Sequence, residues 1–279
     1  MRGLEPRRSH AELRRLGCWG KRETMSDMSR SAGFFDQWYT EMSRSASRDQ
    51  IVRQALGLPS DMDVSGLLPW AGVPEVAAAL NLAPGQLLVD LGCGPAGYSL
   101  EIARQTGASL LGLDFSPVAV ATARGRAASA GIAGRAAFCV GDMTANGVGT
   151  GVADAAVCIE TIMFVGAHLD ALRECRRILA GGGRLVLTGW EATNLADERL
   201  PQWARRIDLR RDLAEAGFEQ VDVADKPAWR QAERDLYESS IAADAAGDPA
   251  IESLQAQARR GLELFGSSRR VCATATAPG

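Results

Sequence analysis

The sequence predicts an α/β fold, a doubly wound and mostly parallel sheet with helices on both faces and a helical cap ahead of it. Three observations carry this expectation. The stretch Leu87 to Asp114 reads as strand, glycine turn, helix and strand, which is a βαβ unit. Apolar strand-like runs then alternate with helical runs as far as Trp190, the pattern of a parallel sheet with crossover helices. Two more strand-like runs follow, at 218–223 and 270–275, and bring the expected strands to seven.

Composition sets the outer limits. With 279 residues and 46% apolar content, the chain can bury one large core, or a core and a small cap. No apolar run approaches the roughly twenty residues that span a bilayer, so a soluble protein without membrane association is expected. Arg2, Arg7, Arg8, Arg14 and Arg15 are not followed by an apolar stretch, which argues against a secretory signal and for the cytoplasm. A net charge of -3 argues against nucleic acid and for small-molecule partners. The cysteines at 18, 93, 139, 158, 175 and 272 show no metal-ligand spacing and are expected to be reduced and structural.

Residues 1–30 are polar and Arg-rich without periodicity, and read as a disordered tail. Met25 and Met28 leave an internal start open. Residues 31–82 read as the helical cap. Within it Phe34, Phe35, Trp38, Tyr39 and Met42 form an aromatic stripe on one helix face, either core or a lid over a ligand, with Asp36 on the same segment. Pro69 breaks the pattern, Trp70 packs on ligand or cap, and a short helix over 74–82 leads to the first strand.

From residue 83 the sheet domain begins. Leu87, Leu88 and Val89 lead into Asp90-Leu91-Gly92-Cys93-Gly94-Pro95-Ala96-Gly97, and the following helix offers Leu100, Ile102 and Ala103 to the sheet. Glycines 92, 94 and 97 permit a tight turn and close approach of a ligand to the backbone. The second strand, Leu110 to Leu113, stops at Asp114, where a ribose diol would need an acceptor. Ser116-Pro117 is an N-cap followed by Pro at the first helical position, and the helix runs to about Ala130. Strands 136–140 and 153–159 end at Asp142 and Glu160. A helix at about 169–179 is expected to be terminated by Gly181-Gly182-Gly183, ahead of a strand at 184–190. A helix at 209–216, the strand at 218–223, a helical insertion at about 228–265 broken at Gly247-Asp248-Pro249, and the last strand complete the chain. The insertion is either a second wall for a substrate pocket or an outer helical layer.

A glycine turn alone fits a dinucleotide or S-adenosylmethionine. A dinucleotide fingerprint normally carries an apolar residue two positions before the first glycine, and here that position is Asp90. A carboxylate there repels a pyrophosphate and favours a cationic amine. The segments VDLGCGPAG, LLGLDFS, VGDM and ADAAVCIE, with GGGRLVLTGWE as a fifth strand, together resemble the class I S-adenosylmethionine-dependent methyltransferases over about residues 83–225. SLLPWAG-like flanking sequence, here SGLLPWAG, is similar to that of small-molecule members of actinobacterial type.

The resemblance implies a Rossmann-like sheet of seven strands with the last antiparallel. It implies that Asp90, Gly92, Cys93, Gly94 and Gly97 hold the methionine portion of S-adenosylmethionine, and that Asp114, beside Phe115, accepts both ribose hydroxyls. Asp142 and Met143 would meet adenine, and Ile159 and Glu160 would flank the methionine end. Ala96 stands where many members carry another Gly.

Methyl transfer is an in-line displacement that leaves S-adenosylhomocysteine, and holding the reactants in line supplies much of the catalysis. Where a base assists, His168, Glu160 and Tyr39 are the candidate catalytic residues, with Asp36 and Glu191 as further polar candidates; His10 falls in the tail. The sequence lacks the Pro-Pro-Tyr and Pro-Cys signatures of DNA methyltransferases and paired-carboxylate spacing for magnesium. The expectation is therefore a metal-independent enzyme, monomer or homodimer, that methylates O, N or C of a small metabolite. A scaffold that binds the cofactor without consuming it is the alternative, and an NAD-dependent oxidoreductase a weaker one.

Overall fold

The computed structural model describes residues 32–62 and 64–279. The expected tail, with Met25, Met28 and His10, lies outside the described residues. Two helices open the cap, α1 (Ala32–Met42) and α2 (Ala46–Leu56), followed by α3 (Gly72–Leu80). The sheet domain runs β1 (Leu87–Leu91), α4 (Gly97–Thr106), β2 (Ser109–Asp114), α5 (Pro117–Ser129), β3 (Ala136–Val140), β4 (Ala153–Ile159), α6 (His168–Ile178) and β5 (Leu179–Ala192). Then come α7 (Gln202–Arg206), α8 (Leu209–Glu215), β6 (Glu219–Asp225), α9 (Pro227–Ala242), α10 (Pro249–Glu263) and β7 (Ser268–Thr276).

The sheet has seven strands in the order β3-β2-β1-β4-β5-β7-β6. Pairings from β3 to β5 are parallel, and β7 is antiparallel to both β5 and β6. β1 lies between β2 and β4, with Val89 opposite Leu111 and Ala156. Chain connections diverge at β1 and β4, so a crevice opens beyond their carboxyl ends, where ligands of such sheets bind.

Period-two alternation divides the core in two. Leu88, Leu110, Ala155, Val157 and Val186 face one side, beneath the cap, α4, α5, α9 and α10. Leu87, Val89, Leu91, Leu111 and Leu113 face the other, against α6 and α8. Leu100, Ile102 and Ala103 are buried, as their spacing on α4 predicts.

The glycine triplet behaves differently from expectation. α6 ends at Ile178 without it, and Leu179 already pairs with Ala153 in the sheet, so Gly181, Gly182 and Gly183 lie inside β5. The register shifts between Ala153 and Ala155, and a Cβ on Gly183 would meet the Ala180 carbonyl at 2.8 Å and the Asp154 carbonyl at 3.1 Å. The triplet is a bulge that lets the strand turn, rather than a helix stop.

α2 is a helix the hydrophobic pattern concealed. Its N-cap is Ser45, whose side chain accepts from the Arg48 amide, and Gly57 closes it with φ 65°. Arg48 is buried on it, which breaks the apolar stripe a sequence reading looks for. Trp70 packs against the core under the cap. α9 packs on α2, α10 and β7, so the insertion covers the same sheet face as the cap. Cys93, Cys158, Cys175 and Cys272 are free and buried, whereas Cys139 is disulfide-bonded, which corrects the reduced reading for that residue.

Candidate cofactor site

The site is built on the turn that follows β1. Gly92 and Gly94 have φ of 74° and 52°, a left-handed backbone closed to most side chains. At both positions a Cβ would also lack room. The Thr161 side chain occupies its place at Gly92, while at Gly94 it would lie 3.0 Å from both the Ser65 and Tyr39 hydroxyls. Ala96 holds φ 62° as the N-cap of α4, so the turn stays left-handed at a residue that carries a Cβ. Amides of Gly92 and Cys93 donate to the Leu113 carbonyl at 2.8 and 2.9 Å, which pins the turn against the end of β2.

Asp114 fixes the turn from below. Its Oδ2 accepts the Gly94 amide at 2.8 Å and its Oδ1 the Ser116 amide at 2.9 Å. Each carboxylate oxygen has two lone pairs, so each retains one for a further donor. Burial raises the Asp114 pKa against these two amides, and the nearby Asp36 charge adds to the rise. Asp90 is buried at the end of β1, and burial raises its pKa to about 7, opposed by a bond to Ser99 and reinforced by Asp114. Cys93, Asp90 and Asp114 thus share one small volume, in which burial also pushes the Cys93 thiol up.

α1 lies over this turn. Phe35 packs against Phe115 at 5.3 Å and Phe164 at 5.9 Å between ring centroids, and the Ser116 hydroxyl donates to Asp36. Tyr39 bonds to Ser65, and burial followed by the Asp114 charge pushes its phenol well above the usual range. The aromatic stripe is therefore divided: Met42 enters the core, Phe35 and Tyr39 close over the turn, and Phe34 is 47% exposed.

The remaining predicted residues separate into those at the turn and those held elsewhere. Gly97 starts α4, and Ile159 ends β4 beside the turn, where Thr161 donates to the carbonyls of Gly92 at 3.1 Å and Ile159 at 3.0 Å. Asp142 follows β3, and one of its oxygens accepts the amide and hydroxyl of Thr144, both at 2.7 Å; Met143 is buried next to it. Glu160 is buried, and its two oxygens accept from Arg270 and from the Leu67 amide. Burial raises its pKa, opposed first by Arg270. His168 opens α6 and its Nε2 lies 3.1 Å from Asp212 Oδ2 on α8. Glu191 accepts from the Leu209 amide and Arg269, each at 2.8 Å.

Sequence reasoning missed Arg270, Ser65 and Thr161. Arg270 is fully buried on β7, lies over the Trp190 ring at 4.2 Å, and stands 3.9 Å from Glu233. Glu233 in turn accepts from Trp190, Arg230 and Tyr237. A charged side chain in the run Arg270-Val271-Cys272-Ala273 was the available signal. Among the described residues, no group of three or more His, Cys, Asp or Glu is arranged to hold a metal, and no helix is long and apolar enough to cross a membrane.

A family model described as a methyltransferase domain matches residues 89–187, from β1 into β5. The chain is 31% identical over 142 residues to a chloroplastic tocopherol O-methyltransferase of Arabidopsis thaliana, covering 50% of this chain and 40% of that protein. It is 27% identical over 173 residues to methyltransferase GfsG of Streptomyces halstedii, 62% of each. The chain thus spans less than half the length of several of these curated relatives. Among solved structures, the [4+2]-cyclase SpnF shares the fold with TM-score 0.71 and 23% identity, over 90% of this chain and 98% of that one. Geranyl diphosphate C-methyltransferase of Streptomyces coelicolor A3(2) gives 0.64 and 18%, over 88% and 97%. Residues 89–187 thus match a methyltransferase domain, and the chain is similar to methyltransferases along this stretch.

Proposed function

We propose that the protein binds S-adenosylmethionine beside the turn at 92–97 and transfers its methyl group to a small organic acceptor. The observation that carries this reading is the pairing of two buried carboxylates around one glycine turn. Asp114 keeps a lone pair on each oxygen for a diol, and Asp90 offers negative charge to an amine. A dinucleotide pyrophosphate would meet like charge at Asp90 instead.

When bound, the cofactor would supply an electrophilic methyl on a sulfonium for a lone or π electron pair of the acceptor, with sulfur as the leaving group. Asp90 and the amides of the turn would hold the amino-acid end, Asp114 the ribose, and Asp142 with Met143 the base. α1 would exclude water through Phe35 and Tyr39. Neither Glu160 nor His168 is free of strong partners, so base assistance by either requires that a bond to Arg270 or Asp212 be given up. The reading therefore places most of the catalysis in alignment within a dry pocket.

Similar proteins include O-, N- and C-methyltransferases, so the acceptor panel spans all three nucleophiles. The test is incubation with S-adenosylmethionine and a panel of phenols, amines and enolisable carbonyl compounds. The expected result is a product heavier by one methyl, with equimolar S-adenosylhomocysteine. An acceptor transformed while S-adenosylmethionine stays intact would refute methyl transfer in favour of a non-methylating scaffold.

A further inference from the structure

Glu160 occupies an unusual position for a base. Its backbone φ is 56°, a left-handed conformation unfavourable for a side-chain-bearing residue that persists only where the surroundings fix it. The surroundings here are the side chain's own partners. One oxygen accepts from Arg270, which is fully buried on β7, and the other accepts from the Leu67 amide in the irregular segment between α2 and α3. That segment has no helix or strand to hold it. It is fastened instead by Glu160 at Leu67 and by the Tyr98 hydroxyl, which donates to the carbonyls of Gly66 at 3.2 Å and Leu68 at 2.8 Å. Gly66 has to be glycine for this approach, since a Cβ would lie 2.8 Å from Glu160 Oε2 and 3.2 Å from the Tyr98 ring.

One residue before this anchorage, Ser65 bonds to Tyr39, and both hydroxyls stand against Gly94. A continuous series of contacts thus runs from Arg270 through Glu160 and Leu67 to Ser65, Tyr39 and the glycine turn. We propose that Glu160 is a positioning residue: it suspends segment 65–68 from Arg270 and so sets the Ser65–Tyr39 wall that closes on the amino-acid end of the cofactor. This inference rests on the cofactor reading above. It moves Glu160 from the chemistry of proton transfer to the construction of the binding site, and it explains a buried carboxylate with both oxygens engaged.

The test uses S-adenosylhomocysteine as probe, with affinity read by calorimetry and folding by melting temperature for each variant. Glu160→Ala should weaken binding about tenfold, the worth of one buried hydrogen bond to the segment. Glu160→Gln keeps a single acceptor oxygen, which can serve Arg270 or the Leu67 amide but not both, and should bind with an affinity between those of the parent and Glu160→Ala. Ser65→Ala should weaken binding severalfold in the parent and have no further effect in the Glu160→Ala background. Gly66→Ala, which alters no charge, should reproduce the Glu160→Ala loss while the protein stays folded. It keeps the question open to refutation where Glu160→Ala unfolds. Parental affinity in folded Glu160→Ala or Gly66→Ala, or additive effects of Ser65→Ala and Glu160→Ala, would overturn the inference. Failure of the parent itself to bind would instead remove the cofactor reading.

Discussion

Replacing Asp90 by Asn should abolish a pH dependence of cofactor affinity that the parent shows between pH 6 and 7. Burial holds the Asp90 pKa at about 7, and the ionised form is the one that favours an ammonium. An acid of that pKa is about one-eleventh ionised at pH 6 and about half ionised at pH 7. If the bound amine keeps Asp90 ionised, affinity for S-adenosylhomocysteine rises about fivefold over that unit, and binding releases about 0.9 proton at pH 6 and about 0.5 at pH 7. The range stays below the titration of an α-amine, so the ligand's own charge is constant. Calorimetry in two buffers of different ionisation enthalpy measures both quantities. Asp114, Cys93 and Tyr39 face the same volume, and Asp114 is the other acid there with a raised pKa. A slope that survives in Asp90→Asn would belong to Asp114 and would refute the assignment, as would a flat profile in the parent. The same shift acts on stability with a definite sign. The folded protein binds the proton more tightly than the unfolded chain, so stability falls as pH rises from about 4 to about 7, by about 4 kcal/mol at most. Asp90→Asn should therefore melt higher than the parent at pH 8 although it binds the cofactor more weakly.

Other substitutions separate the site from its supports. Asp114→Ala removes the acceptors for two hydroxyls and for the Gly94 and Ser116 amides, and should weaken S-adenosylhomocysteine binding about a hundredfold or more by calorimetry. Gly94→Ala imposes a Cβ at φ 52° and 3.0 Å from two hydroxyls, and should abolish binding while circular dichroism stays native. Arg270→Met leaves Glu160 buried without its cation, while Glu233 keeps Arg230, and should lower stability by about 3–5 kcal/mol in urea unfolding. His168→Ala loses the bond between α6 and α8 and should cost about 1 kcal/mol of stability with S-adenosylhomocysteine affinity unchanged.

Those elements whose order follows from local chemistry could be read in the chain. The strands at 136–140 and 153–159 are apolar runs, the second uninterrupted after Asp154, mostly buried, and their bounds match the structure. Ser116 and Pro117 mark the start of α5 because a hydroxyl cap and a fixed φ suit the first turn of a helix. Asp90, Gly92, Gly94 and Asp114 were legible because the turn that brings them together is contiguous with two strands. What remained hidden depends on contacts between distant segments. α2 carries the buried Arg48, so its pattern is weak as an amphipathic helix. The partnership of Glu160 with Arg270 spans 110 residues, and no spacing rule joins β4 to β7. The glycine triplet reads as a helix stop in one dimension, and only the neighbouring β4 backbone shows it to be a bulge. Tyr39 illustrates the intermediate case. Its stripe was visible, but whether the helix faced core or ligand depended on the Ser65 and Gly94 contacts.

Titration of the purified protein with S-adenosylmethionine and, separately, with NAD distinguishes the two cofactors that a glycine turn of this kind can hold. One equivalent of S-adenosylmethionine should bind, with an Asp114→Ala variant binding far more weakly and NAD producing no heat of binding. Saturable binding of NAD with none of S-adenosylmethionine, or equal affinity for S-adenosylmethionine in the Asp114→Ala variant, would overturn the assignment of this site to S-adenosylmethionine.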